Sequence, residues 1–406
     1  MQFTRLLRNR SVTAAEMSRH AGELTGLRVA GRHVVAMQDT SELVLGSRRA
    51  RASYGPVGKG NAAGLLLHPV LAVEVGTGAL LGLISMQVWN RSRGELVARR
   101  KRATAAKESR RWIDGTRQTG EVLAKAASIT MVSDRESDFY ELFVARPQNV
   151  ELVVRACQNR CIDTPQEEPG LLFAFIDAQP EQGRFRMTIP AAPGRRARDA
   201  EFALRYAPAT VRRPLNAADP ALPEAVSMTL VDVREVSVPQ DGSEPVHWRL
   251  LTTHSVATVG EARRIIDLYR SRWTIEEFFR TLKTAGFDIE AADIGDPHAM
   301  INFVAAATIA AVTVKQLVQA RDGTTDQLLG DAFDPDDRPV LEAVSAKLEG
   351  KTERHRKGTL AFAAWVIARL GGWTGYYGKP GPKVMRIGLT EFHAIKYGAN
   401  LELRNV

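Results

Sequence analysis

Apolar and polar positions change their period several times along the chain, and each change marks an expected element. Residues 10–26 are polar with Ala, Glu and Leu at helical spacing, and Ser11 or Thr13 is placed to cap that helix. Val34-Val35-Ala36-Met37 is a short apolar run closing at Asp39, the pattern of a strand with an acidic end. The basic stretch 46–60 reads as a loop. Two apolar runs around Gly76-Thr77-Gly78 predict a hairpin of buried strands. Residues 101–127 are charged and helical, anchored by Trp112, Ile113, Val122 and Leu123. Ile129, Met131 and Val132 form a second strand that ends in an acid, Asp134, and Phe139 to Phe143 begin another helix.

The character changes over residues 150–253. Short alternating segments such as "ELVVRA", "GRFRMTIP" and "SMTLVDVREVSV" are separated by Pro, Gly and Asp, which predicts an antiparallel β region inserted between two helical parts. Helical periodicity resumes at Gly260 and leads into "YRSRWTIEEFFRTLK". That stretch has no Gly or Pro and reads as one helix from Tyr269 to Lys283. At about 100° per residue, Tyr269, Arg272, Glu276 and Lys283 fall within an arc of roughly 60°, with Arg280 beside them and an apolar stripe adjoining. The apolar run from Ala299 to Val318 carries Asn302 and Lys315 and is Ala-rich, so a buried core helix is expected there and not a membrane span. The tail shows a helix in "TLAFAAWVIARLGGW", a turn in "GKPGPK" and a last helical pattern from Leu389.

Charge narrows the partner class. Lys plus Arg is 55 and Asp plus Glu is 46, giving a net charge of +9 over 406 residues. A pI near 9.7 favours a polyanionic partner. Cys157 and Cys161 are the two cysteines; without a nearby Cys or His pair they read as buried or free thiols, neither a zinc site nor a disulfide framework. The N-terminal residues lack the apolar core of a signal peptide, and a reducing cytosol is expected. No Walker A, G-x-S-x-G or H-E-x-x-H motif occurs, which removes the common nucleotide, serine-hydrolase and zinc-protease readings.

Three acids remain: Asp39 and Asp134 at strand ends and Glu276 among cations. Taken singly, an Asp at a strand end is also an ordinary turn residue or helix cap, and Glu276 with Arg272 and Arg280 is also plain i, i+4 pairing. Gathered together, carboxylates require neutralising cations, and hard oxygen ligands suit Mg²⁺ or Mn²⁺. Such ions activate water and stabilise the leaving oxygen of a phosphodiester, while Arg272 and Lys283 are suited to the flanking phosphates.

The ordered combination is specific. "MQDTSEL", "VSDRESD" and the Y-x2-R-x3-E-x6-K spacing of Tyr269, Arg272, Glu276 and Lys283 resemble the DDE transposases of the IS4 group, most closely the Tn5 branch, over nearly the whole chain. The resemblance implies an α/β, ribonuclease H-like catalytic core over residues 31–149 and 254–330, with a β insertion at 150–253. It also implies a remnant of an N-terminal DNA-binding region at 1–30 and a helical dimerisation region at 331–406. By the same match Asp39, Asp134 and Glu276 are the catalytic and metal-binding residues, with Mg²⁺ or Mn²⁺ as cofactor. The implied chemistry is cut-and-paste transposition: one strand is nicked, its 3′-OH attacks the other to form a hairpin, and the opened end attacks target DNA. Tyr269, Arg272, Lys283, Trp248, Arg135 and Arg280 are the implied DNA contacts. Trp248 in "VHWRLLTTH" aligns with a tryptophan that stacks on a flipped base, although by its residues alone it reads as a core strand Trp. Arg195, Arg196 and Arg198 could track the backbone or form a solvated basic loop. The expected partners are transposon ends, target DNA and a second copy, with no membrane, in the bacterial cytoplasm at the nucleoid. Asp39 arrives early compared with relatives, so a shortened chain that pairs with and blocks a full-length transposase, or a decayed copy, is the alternative expectation.

Overall fold

A computed structural model describes residues 2–47, 52–58, 62–91, 108–191, 196–217, 219–237, 239, 242–348, 355–376 and 378–404. The strands are β1 (His33–Gln38), β2 (Ser41–Val44), β3 (Pro56–Val57), β4 (Ala62–Glu74), β5 (Leu80–Trp89), β6 (Ser128–Ser133), β7 (Glu151–Arg155), β8 (Cys161–Asp163), β9 (Pro169–Leu171), β10 (Gly183–Ile189), β11 (Arg198–Arg212), β12 (Ala225–Glu235) and β13 (His247–Thr252). The α-helices are α1 (Gln2–Arg8), α2 (Ala14–Arg28), α3 (Arg110–Val122), α4 (Tyr140–Ala145), α5 (Leu172–Asp177), α6 (Val259–Arg270), α7 (Trp273–Arg280), α8 (Pro297–Ala320), α9 (Asp337–Ser345), α10 (Leu360–Leu370) and α11 (Pro382–Arg404). The architecture is mixed α/β, compatible with a ribonuclease H-like core. Two compact units divide it: Met1–Val97 with Glu121–Ala127 and Trp273–Val406, and Ala98–Gly120 with Ser128–Arg272.

In the first unit β4 is the template strand. β1 and β2 both pair with it antiparallel, Gln38 opposite Val70 and Ser41 opposite Leu67, and β5 returns along its other side. The hairpin turn holds Gly76 and Gly78 at φ 91° and 69°, which a side chain would resist. β4 is buried from Ala63 to Val73, and β1 from Val34 to Gln38, the continuous burial of strands covered on both faces. One cover is α2, capped by Thr13, whose Oγ accepts from Glu16 N at 3.2 Å. Its Gly22 lies so near β5 that a Cβ would sit 2.5 Å from the Ile84 carbonyl oxygen, and Thr25 Oγ1 donates to Leu83 O at 2.7 Å. The other cover is α8, whose Gln316 donates to Leu80 O at 3.1 Å. α8 is long and apolar enough to cross a membrane, yet 61% of its apolar window is buried inside the protein. A separate cluster of α8, α10 and α11 side chains, including Leu317, Phe362 and Phe392, closes the helical end.

The second unit carries the remaining sheet in the order β6-β7-β13-β12-β11-β8-β9, with β10 on β11. β6 and β7 are parallel, Thr130 opposite Glu151, and the crossover between them contains Asp134 and α4. The pairings of β7 with β13, β13 with β12, β12 with β11, β11 with β10 and β8, and β8 with β9 are antiparallel. β10 alternates strictly between half-buried and exposed residues up to Ile189, as its period-2 sequence dictates.

Candidate active site

Asp39 follows β1 directly. β1 and β2 share one register on β4, so Asp39 and Thr40, between the two strands, fall opposite Pro69 and His68. Pro69 has no N–H to offer a ladder. The Thr40 amide donates to Asp39 Oδ1 at 2.7 Å. The strand end thus holds its carboxylate through the next backbone amide, a short-range constraint that fixes the side chain.

Glu276 lies in the first turn of α7, half-buried, beside buried Ile275, Phe278 and Phe279. The single helix expected from Tyr269 to Lys283 is not present. α6 ends at Arg270, Ser271 and Arg272 form a turn, and α7 starts at Trp273. The Ser271 hydroxyl donates to Leu268 O at 2.6 Å, a local bond that competes with the helical ladder. Tyr269 and Glu276 therefore belong to different helices, and one angular wheel does not relate them. After α7 the chain widens into a π-turn, Thr281–Ala285, where Thr281 Oγ1 donates back to Glu277 O at 3.0 Å.

Lys283 in that π-turn is tied to β2. Its Nζ donates to Glu42 O and lies 3.5 Å from Glu290 Oε1, which accepts from Val44 N at 2.8 Å. The segment after Glu276 and the segment after Asp39 are thereby joined within one unit. Neighbouring Glu277 forms an ion pair with Lys315 of α8. Arg280, at the end of α7, is exposed.

Asp134 belongs to the second unit and caps a single 3-10 turn, Arg135–Ser137, accepting from Glu136 N at 2.9 Å through Oδ1. The loop is braced from below. Ser137 Oγ donates to Asp134 O at 2.7 Å and lies 2.6 Å from Ser133 Oγ. Asp138, its side chain fully buried, accepts from Cys157 N at 2.6 Å, Gln158 N at 2.7 Å and Arg160 Nη2 at 2.7 Å. Arg135 is exposed. Cys157 and Cys161 are both free and exposed, and burial together with the Asp138 carboxylate pushes the Cys157 thiol up, away from a reactive thiolate.

Trp248 sits on β13 opposite Val233, half-buried, with its ring edge-on to Tyr269 at 5.4 Å and 66°. Tyr269 is 5% exposed, so its ring is a packed partner of Trp248. Arg155, at the end of β7, completes this group. Burial pushes its guanidinium below the ordinary value; the Tyr269 hydroxyl, to which it is hydrogen-bonded, opposes this, and the charges of Arg135 and Arg272 add to it. Arg155 Nη2 also donates to His247 O at 3.2 Å, so the guanidinium is anchored to β13. Sequence reasoning passed over Arg155; the cation closing the apolar run "ELVVR" was its only signal.

The other basic residues separate. Arg195 lies outside the described residues, and Arg196 is exposed. Arg198 is committed to Glu235, with Nη2 2.9 Å from Oε2 and Nε 3.1 Å from Oε1. It stabilises the start of β11 and is not part of a loose basic loop.

Among the described residues no three His, Cys, Asp or Glu side chains are grouped closely enough to hold an ion. By donor chemistry, the carboxylates of Asp39, Asp134 and Glu276 are hard oxygen ligands of the kind that suits a divalent cation. The family model described as a transposase DDE domain matches residues 92–313. The match begins after Asp39 and runs through Asp134, Trp248, Tyr269, Glu276 and Lys283. It covers more than half of the 406 residues, and the chain belongs to the transposase DDE domain family.

Proposed function

We propose that this transposase is a cut-and-paste enzyme of the IS4 group, Tn5 branch, with Asp39, Asp134 and Glu276 as its catalytic carboxylates. The observation that carries this reading is the position of the acids: Asp39 and Asp134 each follow a strand of the core, and Glu276 opens a helix inside the matched span. These residues would hold Mg²⁺ or Mn²⁺, which supplies an activated water and a counter-charge for the leaving oxygen. Lys283 keeps the Asp39 and Glu276 segments in a fixed relation through Glu42 O. Tyr269, Arg155, Arg272 and Arg135 take the phosphates beside the cut, with Arg280 contributing charge from an exposed position. Trp248 stacks on a base turned out of the duplex, which permits the sharp bend of a hairpin intermediate. One set of carboxylates serves nicking, hairpin formation and joining, because each is an in-line attack of an oxygen on a phosphodiester. The working form is a homodimer on paired transposon ends, in the bacterial cytoplasm at the nucleoid.

Replacing Glu276 by Gln removes one charged ligand and preserves shape. The expected result is loss of Mn²⁺-dependent nicking of labelled element ends by roughly 10³-fold, about 4 kcal/mol, with DNA binding by mobility shift retained. Nicking at the parent rate would end the assignment.

A further inference from the structure

The first strand pair contains a buried histidine that the chemistry above does not use. β4 reads Leu65-Leu66-Leu67-His68-Pro69-Val70-Leu71, and His68 is 1% exposed in this otherwise apolar run. Burying an imidazole there is unfavourable unless both nitrogens find partners. They do: Nδ1 lies 2.9 Å from Thr40 Oγ1, and Nε2 lies 3.2 Å from Oε1 of fully buried Gln38. A neutral ring satisfies both, with the Thr40 hydroxyl donating to Nδ1 and Nε2–H donating to Gln38. The two residues gripped are the immediate neighbours of Asp39.

Asp39 and Thr40 lie between the end of β1 and the start of β2. The pairing of β1 with β4 stops at Gln38 and that of β2 with β4 starts at Ser41. Opposite Asp39 and Thr40 stand Pro69 and His68, and Pro69 lacks an N–H. The side-chain bonds of His68 hold the residues on either side of the carboxylate. Fixing Gln38 and Thr40 limits the rotation of the backbone that carries Asp39, and the Thr40 amide in turn holds Asp39 Oδ1 at 2.7 Å.

We propose that His68 is a positioning residue for Asp39, acting through Gln38 and Thr40 to hold the carboxylate in its ligating orientation. The proposal rests on the assignment of Asp39 as a metal ligand. Supporting shells of this kind are worth about 10–100-fold in metal affinity or activity.

The test compares the parent with His68→Leu, His68→Asn, Thr40→Val and Asp39→Asn. Two readouts are taken on the full chain: loss of the free Mn²⁺ electron paramagnetic resonance signal on titration, and the Mn²⁺ concentration for half-maximal nicking of labelled element ends. His68→Leu is expected to raise both about tenfold. Thr40→Val, which removes one hydroxyl and keeps the shape, moves both the same way by a smaller factor. His68→Asn, which retains a polar group near Nδ1, recovers part of the loss. If His68→Leu fails to fold, Thr40→Val decides alone. Parent-like Mn²⁺ binding in Thr40→Val and in folded His68→Leu, with Asp39→Asn defective, overturns the positioning role only. Parent-like binding in Asp39→Asn overturns the ligand assignment and the positioning role with it.

Discussion

The two compact units hold different kinds of functional group. The first carries Asp39 and Glu276 with Lys283, and there the cation is already engaged by a backbone carbonyl and a glutamate. The second carries Asp134 with Trp248, Tyr269 and Arg155, whose half-buried guanidinium donates to His247 O at 3.2 Å. Both cations donate to a backbone carbonyl oxygen, Lys283 to Glu42 and Arg155 to His247. In the first unit that bond joins distant chain segments; in the second it ties neighbouring strands. What separates the two is the partner each cation has in the folded chain.

The largest stability effect belongs to the second unit. Asp138 and Arg160 form a buried pair, with side chains 0% and 9% exposed, and Asp138 also holds two backbone amides. Asp138→Ala strands Arg160 and is expected to cost about 3–5 kcal/mol, read as a lowered midpoint in urea unfolding. A cost under about 1 kcal/mol would show that the Asp134 loop does not depend on this brace. In the first unit, Lys283→Met keeps the stem and deletes the charge. Nicking is expected to fall about tenfold, near 1.4 kcal/mol, while DNA affinity at moderate salt changes little. A large affinity loss with an unchanged nicking rate would make Lys283 a phosphate contact and erase the contrast between the units. For Trp248→Ala, hairpin formation is expected to slow by about 10–100-fold, from stacking worth about 1–3 kcal/mol per base, and first-strand nicking to persist. Equal loss of both steps would leave Trp248 no role beyond its packing against Tyr269.

Much of the framework was legible because it depends on local pattern. Apolar runs closed by an acid located β1 and β6 with Asp39 and Asp134 at their ends, and the glycines of the 76–78 turn located the β4–β5 hairpin. The choice between Ser11 and Thr13 as the helix cap is settled by the bond from Glu16 N to Thr13. The break between α6 and α7 was not legible, since Ser271 and Arg272 are tolerated within helices and the competing bond to Leu268 O is a side-chain choice. Lys283 read as a phosphate contact, and its bond to Glu42 O could not be foreseen because that acceptor is 241 residues away in sequence. Arg155 and His68 were hidden for a related reason. Each is a lone polar residue in or at the end of an apolar strand, and its role depends on residues contributed by other segments.

The central proposal is that Asp39, Asp134 and Glu276 act as one catalytic set. Single-turnover nicking of labelled element ends by Asp39→Asn, Asp134→Asn and Glu276→Gln, in Mg²⁺ and in Mn²⁺, tests it most directly. The account predicts that all three lose nicking to a similar degree, on the order of 10³-fold, while still shifting DNA. Parent-like nicking by Asp134→Asn, with the other two inactive, would contradict it.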